Sequence, residues 1–318
     1  RFPKKIRAGK SGKQKVRFQY FEDCYKENAF LAEDIRQTVQ NGVPLSEIAV
    51  LFRTNMQPRA LMEYMVSANL AFQTKDRIPD IYEHWIARDF FTYIRIAQGS
   101  DSRADFLSIM NRPKRYIGRD SLPDETVCFD EWMKLYEEQP WIAERIEKLW
   151  YDLKHLSRLS PYAAINYIRR GIGYDDYLAE YAEYRNANKE DFYEVADEIL
   201  ASAKGYRTFE EWFAHIEEYR QELKRLAQEK RRNQNAVTFA TLHSAKGLEF
   251  TKVYLIDVNE GVMPYKKAVL KQDVEEERRL FYVGMTRAKE SLTICSVKKM
   301  RGKEVELSRF IKEAGKEP

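Results

Sequence analysis

The chain has 318 residues, 44% of them hydrophobic and 33% charged, with a formal net charge of only +4. That is room for two domains with cores of their own, and it excludes a disordered chain, which could not bury enough apolar surface. No apolar run reaches the roughly 18–20 residues of a membrane span and no signal-peptide pattern opens the chain, so a cytoplasmic location is expected.

The three cysteines (Cys24, Cys128, Cys295) stand far apart with no CxxC, which argues against a disulfide framework or a zinc site. The first residue is Arg1 rather than a methionine, and the chain is read as part of a longer protein. Residues 1–17 hold eight lysines and arginines and no acid. Within them Gly9-Lys10-Ser11 has the ending of a phosphate-binding loop. Lys4 stands where that loop needs its first glycine, and no buried strand precedes it, so no phosphate cradle is expected here.

Val16, Phe18 and Tyr20 alternate with polar residues, as in a half-buried strand. Ala29–Val39 carries Leu31, Ile35 and Val39 at helical spacing, closed by Gly42. Ile48–Phe52 is an apolar run suited to a strand buried on both faces, and a second helix is predicted from about Pro58 to Asn69. Strands alternating with helices imply a parallel sheet.

Residues 79–232 read as helical nearly throughout: Trp85–Gln98, Ala104–Asn111, Glu131–Glu138, Ile142–His155, Tyr162–Arg170, Phe192–Ala203 and Phe209–Arg231. Gly171-Ile-Gly173 reads as a helix connection, and His84, His155 and His215 as structural. All five tryptophans fall in this stretch, which suggests a separate core. A second basic cluster, Lys224 to Arg232, closes it.

From 236 the strand pattern returns, with strands predicted at Val237–Leu242, Val253–Val258 and Leu292–Val297 and helices at Asp273–Lys289 and Leu307–Ala314. A third basic cluster is Lys298, Lys299, Arg301 and Lys303. Such clusters on a near-neutral chain suit a polyanion that touches several surfaces; solvated surface charge is the alternative. The expected fold class is α/β. Residues 1–78 and 233–318 form one parallel sheet flanked by helices, and 79–232 is a large all-helical insertion.

The segment Thr241-Leu-His-Ser-Ala-Lys-Gly-Leu-Glu-Phe250 links two predicted buried strands, at the sheet edge where open α/β sheets bind ligands. Gly247 permits a tight turn; Thr241, His243, Ser244 and Lys246 are donors suited to phosphate oxygens, and Glu249 could accept a ribose hydroxyl. A solvated connection is the alternative for the loop alone. In the helix that follows, Leu280, Val283, Gly284 and Arg287 fall at i, i+3, i+4 and i+7, placing Arg287 on the apolar stripe. Two readings are open for it: a fixed cation beside a phosphate site, or a buried ion pair.

Thr241–Phe250 and Glu275–Ala288 closely resemble the fifth and sixth motifs of UvrD/Rep/PcrA-type superfamily 1 DNA helicases, and Val50-Leu-Phe-Arg-Thr-Asn-Met-Gln-Pro-Arg59 resembles that family's LYRTNAQSR segment. The resemblance implies a RecA-like second motor domain carrying an inserted helical domain, in an ATP-dependent 3'–5' DNA helicase or translocase. It implies that ATP with Mg2+ binds between this domain and a first motor domain that carries the P-loop and the acidic metal motif, so no metal site is expected here and the chain alone should not turn over ATP.

By the same resemblance Arg287 is the arginine finger on the γ-phosphate and Glu249 contacts the ribose. Lys246 and Gly247 belong to the loop between the ATP and DNA sites. His243, Thr241, Arg53 and Asn55 line a single-stranded DNA track. Asn111-Arg-Pro-Lys-Arg-Tyr-Ile-Gly118 resembles the insert's NxPxRGIG loop, which implies that Lys114 and Arg115 touch duplex DNA at the junction; Tyr116 departs from that pattern, standing where the first glycine is expected. The rival expectation is a non-enzymatic module that keeps the helicase fold to bind DNA or a partner. The presence of both Arg287 and Glu249 favours the enzyme.

Overall fold

The structure, a computed structural model, describes residues 15–76, 78–229 and 235–314. Gly9-Lys10-Ser11 and most of the first two basic clusters lie outside the described residues.

Strand β1 (Lys15–Asp23) runs straight into helix α1 (Cys24–Gln40), because the Asp23 carboxylate caps the helix by accepting the Lys26 N–H at 3.0 Å. The helix therefore starts five residues before the expected Ala29 and turns Leu31, Ala32 and Ile35 inward. Strand β2 (Ile48–Phe52) is buried at every residue, as an interior parallel strand requires. Helix α2 (Arg59–Ser67) follows, then β3 (Phe72–Thr74), too short to have shown a pattern in the sequence.

Past the helical segment come β4 (Val237–Thr241), β5 (Phe250–Leu255), helix α11 (Lys271–Met285), β6 (Ala288–Met300), the short β7 (Lys303–Glu304) and α12 (Arg309–Glu313). The sheet order is β1-β6-β5-β2-β4-β3 with every neighbour parallel, and β7 pairs antiparallel to β6. Val50 sits between Phe239 and Tyr254 in register, so strands from both ends of the sequence interleave in one sheet. Leu51, Ala240, Val253, Ile294, Phe281 and Phe310 share one core on the face covered by α11 and α12.

The helices between are α3 (Trp85–Ala97), α4 (Arg103–Ile109), α5 (Phe129–Lys134), α6 (Pro140–Leu156), α7 (Pro161–Arg170), α8 (Tyr174–Tyr184), α9 (Lys189–Ser202) and α10 (Phe209–Glu229). Helix α8 had no expected counterpart: its buried stripe is only Tyr174, Leu178 and Ala182, and tyrosines signal a helix weakly. Gly173, at φ +92°, links α7 to α8.

The chain separates into two compact units, the described residues up to 79 with those from 221 on, and residues 80–220. That division falls inside α10, earlier than the expected 232. The second unit has its own aromatic core, with Trp132 and Trp212 buried and Trp85 packed against Tyr181 and Phe192. Buried Asp89 ties it together, accepting from Arg112 at 2.8 Å and from the Tyr174 hydroxyl at 2.6 Å. Trp141 departs from the expectation of a tryptophan core, being 48% exposed.

Several of the basic residues that suggested a polyanion surface are paired with acids: Arg17 with Asp34 at 2.8 Å, Lys299 and Lys298 with Glu22 at 3.0 and 3.4 Å, and Arg225 with Glu222.

Candidate nucleotide and nucleic-acid site

The segment from Thr241 to Phe250 leaves the end of β4 and returns as β5. Backbone bonds from Ala245 to the Thr241 carbonyl and from Lys246 to the His243 carbonyl fold it into a tight turn, and Gly247 takes φ +86°, where a side chain would be strained. Its first half is pinned by Asp76, which no sequence pattern had singled out. One Asp76 oxygen accepts the Thr241 N–H at 2.7 Å and the other accepts the Ser244 hydroxyl. Thr241 and Ser244 also bond each other, so the Thr241 hydroxyl is spent on shaping the loop. His243, Lys246 and Glu249 are exposed, and among the described residues their side chains have no partner.

Helix α11 lies against this loop because Gly284 leaves room for it: a Cβ there would come within 2.4 Å of Leu242 and 3.2 Å of Leu255. The buried face of α11 is Glu277, Phe281 and Gly284, whereas Leu280 and Val283 are only half-buried. The expected stripe was thus rotated, and Arg287 is not on the helix at all. The helix ends at Met285, and Arg287 occupies the turn into β6. Its backbone carbonyl accepts the Phe250 N–H at 2.9 Å. Its guanidinium bonds the carbonyls of Val283 and Leu248, each at 2.9 Å, and the Thr286 hydroxyl at 3.0 Å. A guanidinium has five N–H donors; three are engaged, and one on each terminal nitrogen remains. No carboxylate pairs with it among the described residues, so the buried ion pair weighed from the sequence is not formed. The bond to Leu248 sets Arg287 beside Glu249.

A cavity of about 360 Å³ between α11 and the loop is lined by Arg53, His243, Lys246, Glu277 and Arg279, among others. Arg53 and Arg279 are both held by acids there: Arg53 grips Glu277 with three hydrogen bonds of 2.8–3.1 Å, and Arg279 pairs with Glu276. The Arg53 guanidinium also lies 5.1 Å over the Tyr265 ring, and the Tyr265 N–H donates to Glu277 at 3.1 Å. Arg53, expected along the DNA track, is thus held against Glu277 through Nε and one Nη, while the side chains of His243 and Lys246 have no partner among the described residues. Asn55 sits in the loop after β2 with its side-chain oxygen buried and unpartnered among the described residues. Gln57 holds that loop, accepting the N–H groups of Arg53 and Thr54, each at 2.8 Å, and donating to Asp257 at 3.3 Å.

In the second unit the loop Asn111–Gly118 separates the two expected contacts. Lys114 is exposed, but Arg115 is 7% exposed and turned inward. Its guanidinium bonds the carbonyls of Ile109, Met110 and Pro113 and the Tyr93 hydroxyl. Arg115 shapes the loop from inside; a basic residue in a loop gives no sequence signal of which way it points. Among the described residues no group of three His, Cys, Asp or Glu side chains could hold a metal ion, and no helix is long and apolar enough to cross a membrane.

The family model of the UvrD-like helicase C-terminal domain matches residues 3–299. The chain belongs to this family. Among similar proteins are the ATP-dependent DNA helicase PcrA of Bacillus subtilis, 28% identical over 89% of this chain, and PcrA of Staphylococcus epidermidis, 29% identical over 98%. The ATP-dependent DNA helicase Rep of Escherichia coli is 27% identical over 86%. The matches cover 41%, 46% and 44% of those relatives, so this UvrD-like chain spans less than half the length of the curated relatives it matches. The parallel sheet with flanking helices is the α/β architecture expected of a UvrD-like C-terminal domain.

Proposed function

We propose that the chain is the second motor domain, with its inserted helical domain, of an ATP-dependent 3'–5' DNA helicase of the cytoplasm. The observation that carries this reading is Arg287, a guanidinium clamped by two backbone carbonyls, free of any carboxylate among the described residues, with two N–H donors to spare. Transition-state stabilisation in phosphoryl transfer needs such a cation, fixed before the charge develops. ATP with Mg2+ would be held mainly by a first motor domain of the same protein, and the bound nucleotide supplies the phosphoryl group. On this chain Arg287 presents its two open donors to the γ-phosphate, and Glu249 accepts a ribose hydroxyl.

Lys246 and Gly247, in the turn that also bears His243, couple the nucleotide side to the single-stranded DNA track. His243 and Asn55 contact the strand, while Thr241 and Arg53 hold the loops that carry them. Lys114 meets the phosphates at the duplex junction. The grip is on the backbone, so binding should fall steeply with salt as counterions are released.

The test is Arg287→Ala in the chain joined to a P-loop motor domain. DNA-stimulated ATP turnover should drop by roughly 10³–10⁵-fold, with far less change in nucleotide affinity, and the fall should persist when turnover is expressed per folded molecule. A destabilised variant that keeps its turnover per folded molecule would overturn the assignment. Turnover by the 318 residues alone would overturn the shared site.

A further inference from the structure

We propose that Tyr116 and Trp141 form a stacking platform for an unpaired nucleobase, with Lys114 and Arg145 taking the adjoining phosphates. This rests on the reading that the chain handles DNA, and it adds a base contact to a loop otherwise expected to meet only the backbone.

Tyr116 and Trp141 are 56% and 48% exposed; their ring centroids are 6.4 Å apart and their planes meet at 67°, so a base stacks on one ring and meets the other at its edge. Neither ring is needed to close a core. The backbone is held without them: Asn111 clamps the loop on both sides of Tyr116, accepting the N–H groups of Arg115 at 3.2 Å and Ile117 at 3.1 Å and donating to the Ile117 carbonyl at 2.8 Å. Arg115 braces the same loop from inside. Tyr116 stands at φ +60°, a conformation that suits glycine and is uncommon for a bulky aromatic. The chain thus bears local strain to present this ring, on a rigid support, to solvent.

The charges around the rings fit an anionic strand. Arg145 lies 5.2 Å over Tyr116 and 4.9 Å over Trp141, and it is fixed by a 3.0 Å bond to the Arg115 carbonyl. Lys114 lies 4.6 Å over Tyr116. Neither cation has an ion-pair partner among the described residues, so both keep charge for phosphate. An exposed cation–π contact is weaker than base–aromatic stacking. A base therefore displaces the Lys114 ammonium from the ring, and the ammonium moves to the phosphate beside it. Stacking reads no sequence, since every base has a π-face, which suits a protein that moves along DNA.

The experiment titrates the 318-residue chain, at low salt, with oligo-dT and with an abasic oligonucleotide of equal length. Oligo-dT should bind roughly ten-fold or more tightly than the abasic strand. Tyr116→Gly, which keeps a backbone that glycine adopts freely, and Trp141→Ala should each cut that preference several-fold and leave abasic binding unchanged. Tyr116→Phe should retain it, and the thermal unfolding midpoint of Tyr116→Gly should match or exceed the parent's. DNA binding with the preference intact in both Tyr116→Gly and Trp141→Ala, or with no preference in the parent, would overturn the platform and leave the DNA reading standing. No binding of either strand would overturn both.

Discussion

Arg53 and His243 line the same cavity and answer to different physics. Arg53 and Glu277 are 20% and 9% exposed in their side chains, so removing the arginine strands a nearly buried carboxylate with one backbone donor from Tyr265. Arg53→Ala should lower the unfolding free energy by about 3 kcal/mol. His243→Ala removes an exposed ring and should stay within about 0.5 kcal/mol. Urea titration of the two variants checks the contrast, and single-stranded DNA titration of His243→Ala then reports on the track without a folding defect. Both residues stand in segments legible as motifs. Their difference lies in Glu277, whose position facing Arg53 from 224 residues away only the fold determines.

At the scale of elements, α1 meets the end of β5 through two buried acids. Glu27, in the first turn of α1, accepts the N–H of Asp257 at 3.3 Å. Burial raises the Glu27 carboxyl well above the usual range, and the neighbouring Asp257 charge adds to the effect. A raised carboxyl means that the folded state binds its proton more tightly than the unfolded chain. Its contribution is present below the unfolded value, near ~4.3, and is lost as pH rises through the folded one. Glu27→Gln keeps the acceptor oxygen and removes the titration. Urea unfolding should show little difference between the two proteins at pH 4 and a growing advantage for Glu27→Gln up to pH 7, by at most ~1.4 kcal/mol per pH unit. Parallel pH profiles would show that Glu27 does not hold the proton. Because Asp257 also accepts from Gln57, this pair supports the loop that carries Arg53 and Asn55.

For the whole molecule, the two compact units imply that residues 80–220 can be removed, together with the end of α10 and the residues up to 234 that lead back to β4. Joining residue 79 to residue 235 through a short Gly/Ser linker should leave an α/β domain that unfolds cooperatively, as circular dichroism against urea would show. Joining at Thr74 instead removes Asp76, leaving the Thr241 N–H without its acceptor; that version should be less stable by about 1–3 kcal/mol. A shortened chain with no cooperative transition would mean that the sheet depends on the insert.

Local pattern determined much of this protein. The all-apolar run Ile48–Phe52, the returning strands after 236 and the tryptophan-rich helices are statements about burial and periodicity, which neighbouring residues carry by themselves. The segment Thr241–Phe250 was legible for a similar reason, since a tight turn with exposed donors is built from consecutive residues. Tertiary structure decided what depends on distant partners or on direction. It rotated the buried face of α11 onto Glu277, and it moved Arg287 off the helix into a turn held by Leu248. It spent Arg53 on Glu277, turned Arg115 inward and left Tyr116 outward on the same short loop. A side chain's charge is written in the sequence; whether that charge faces a carboxylate, a carbonyl or water is set by which residues the fold brings within about 3 Å of it.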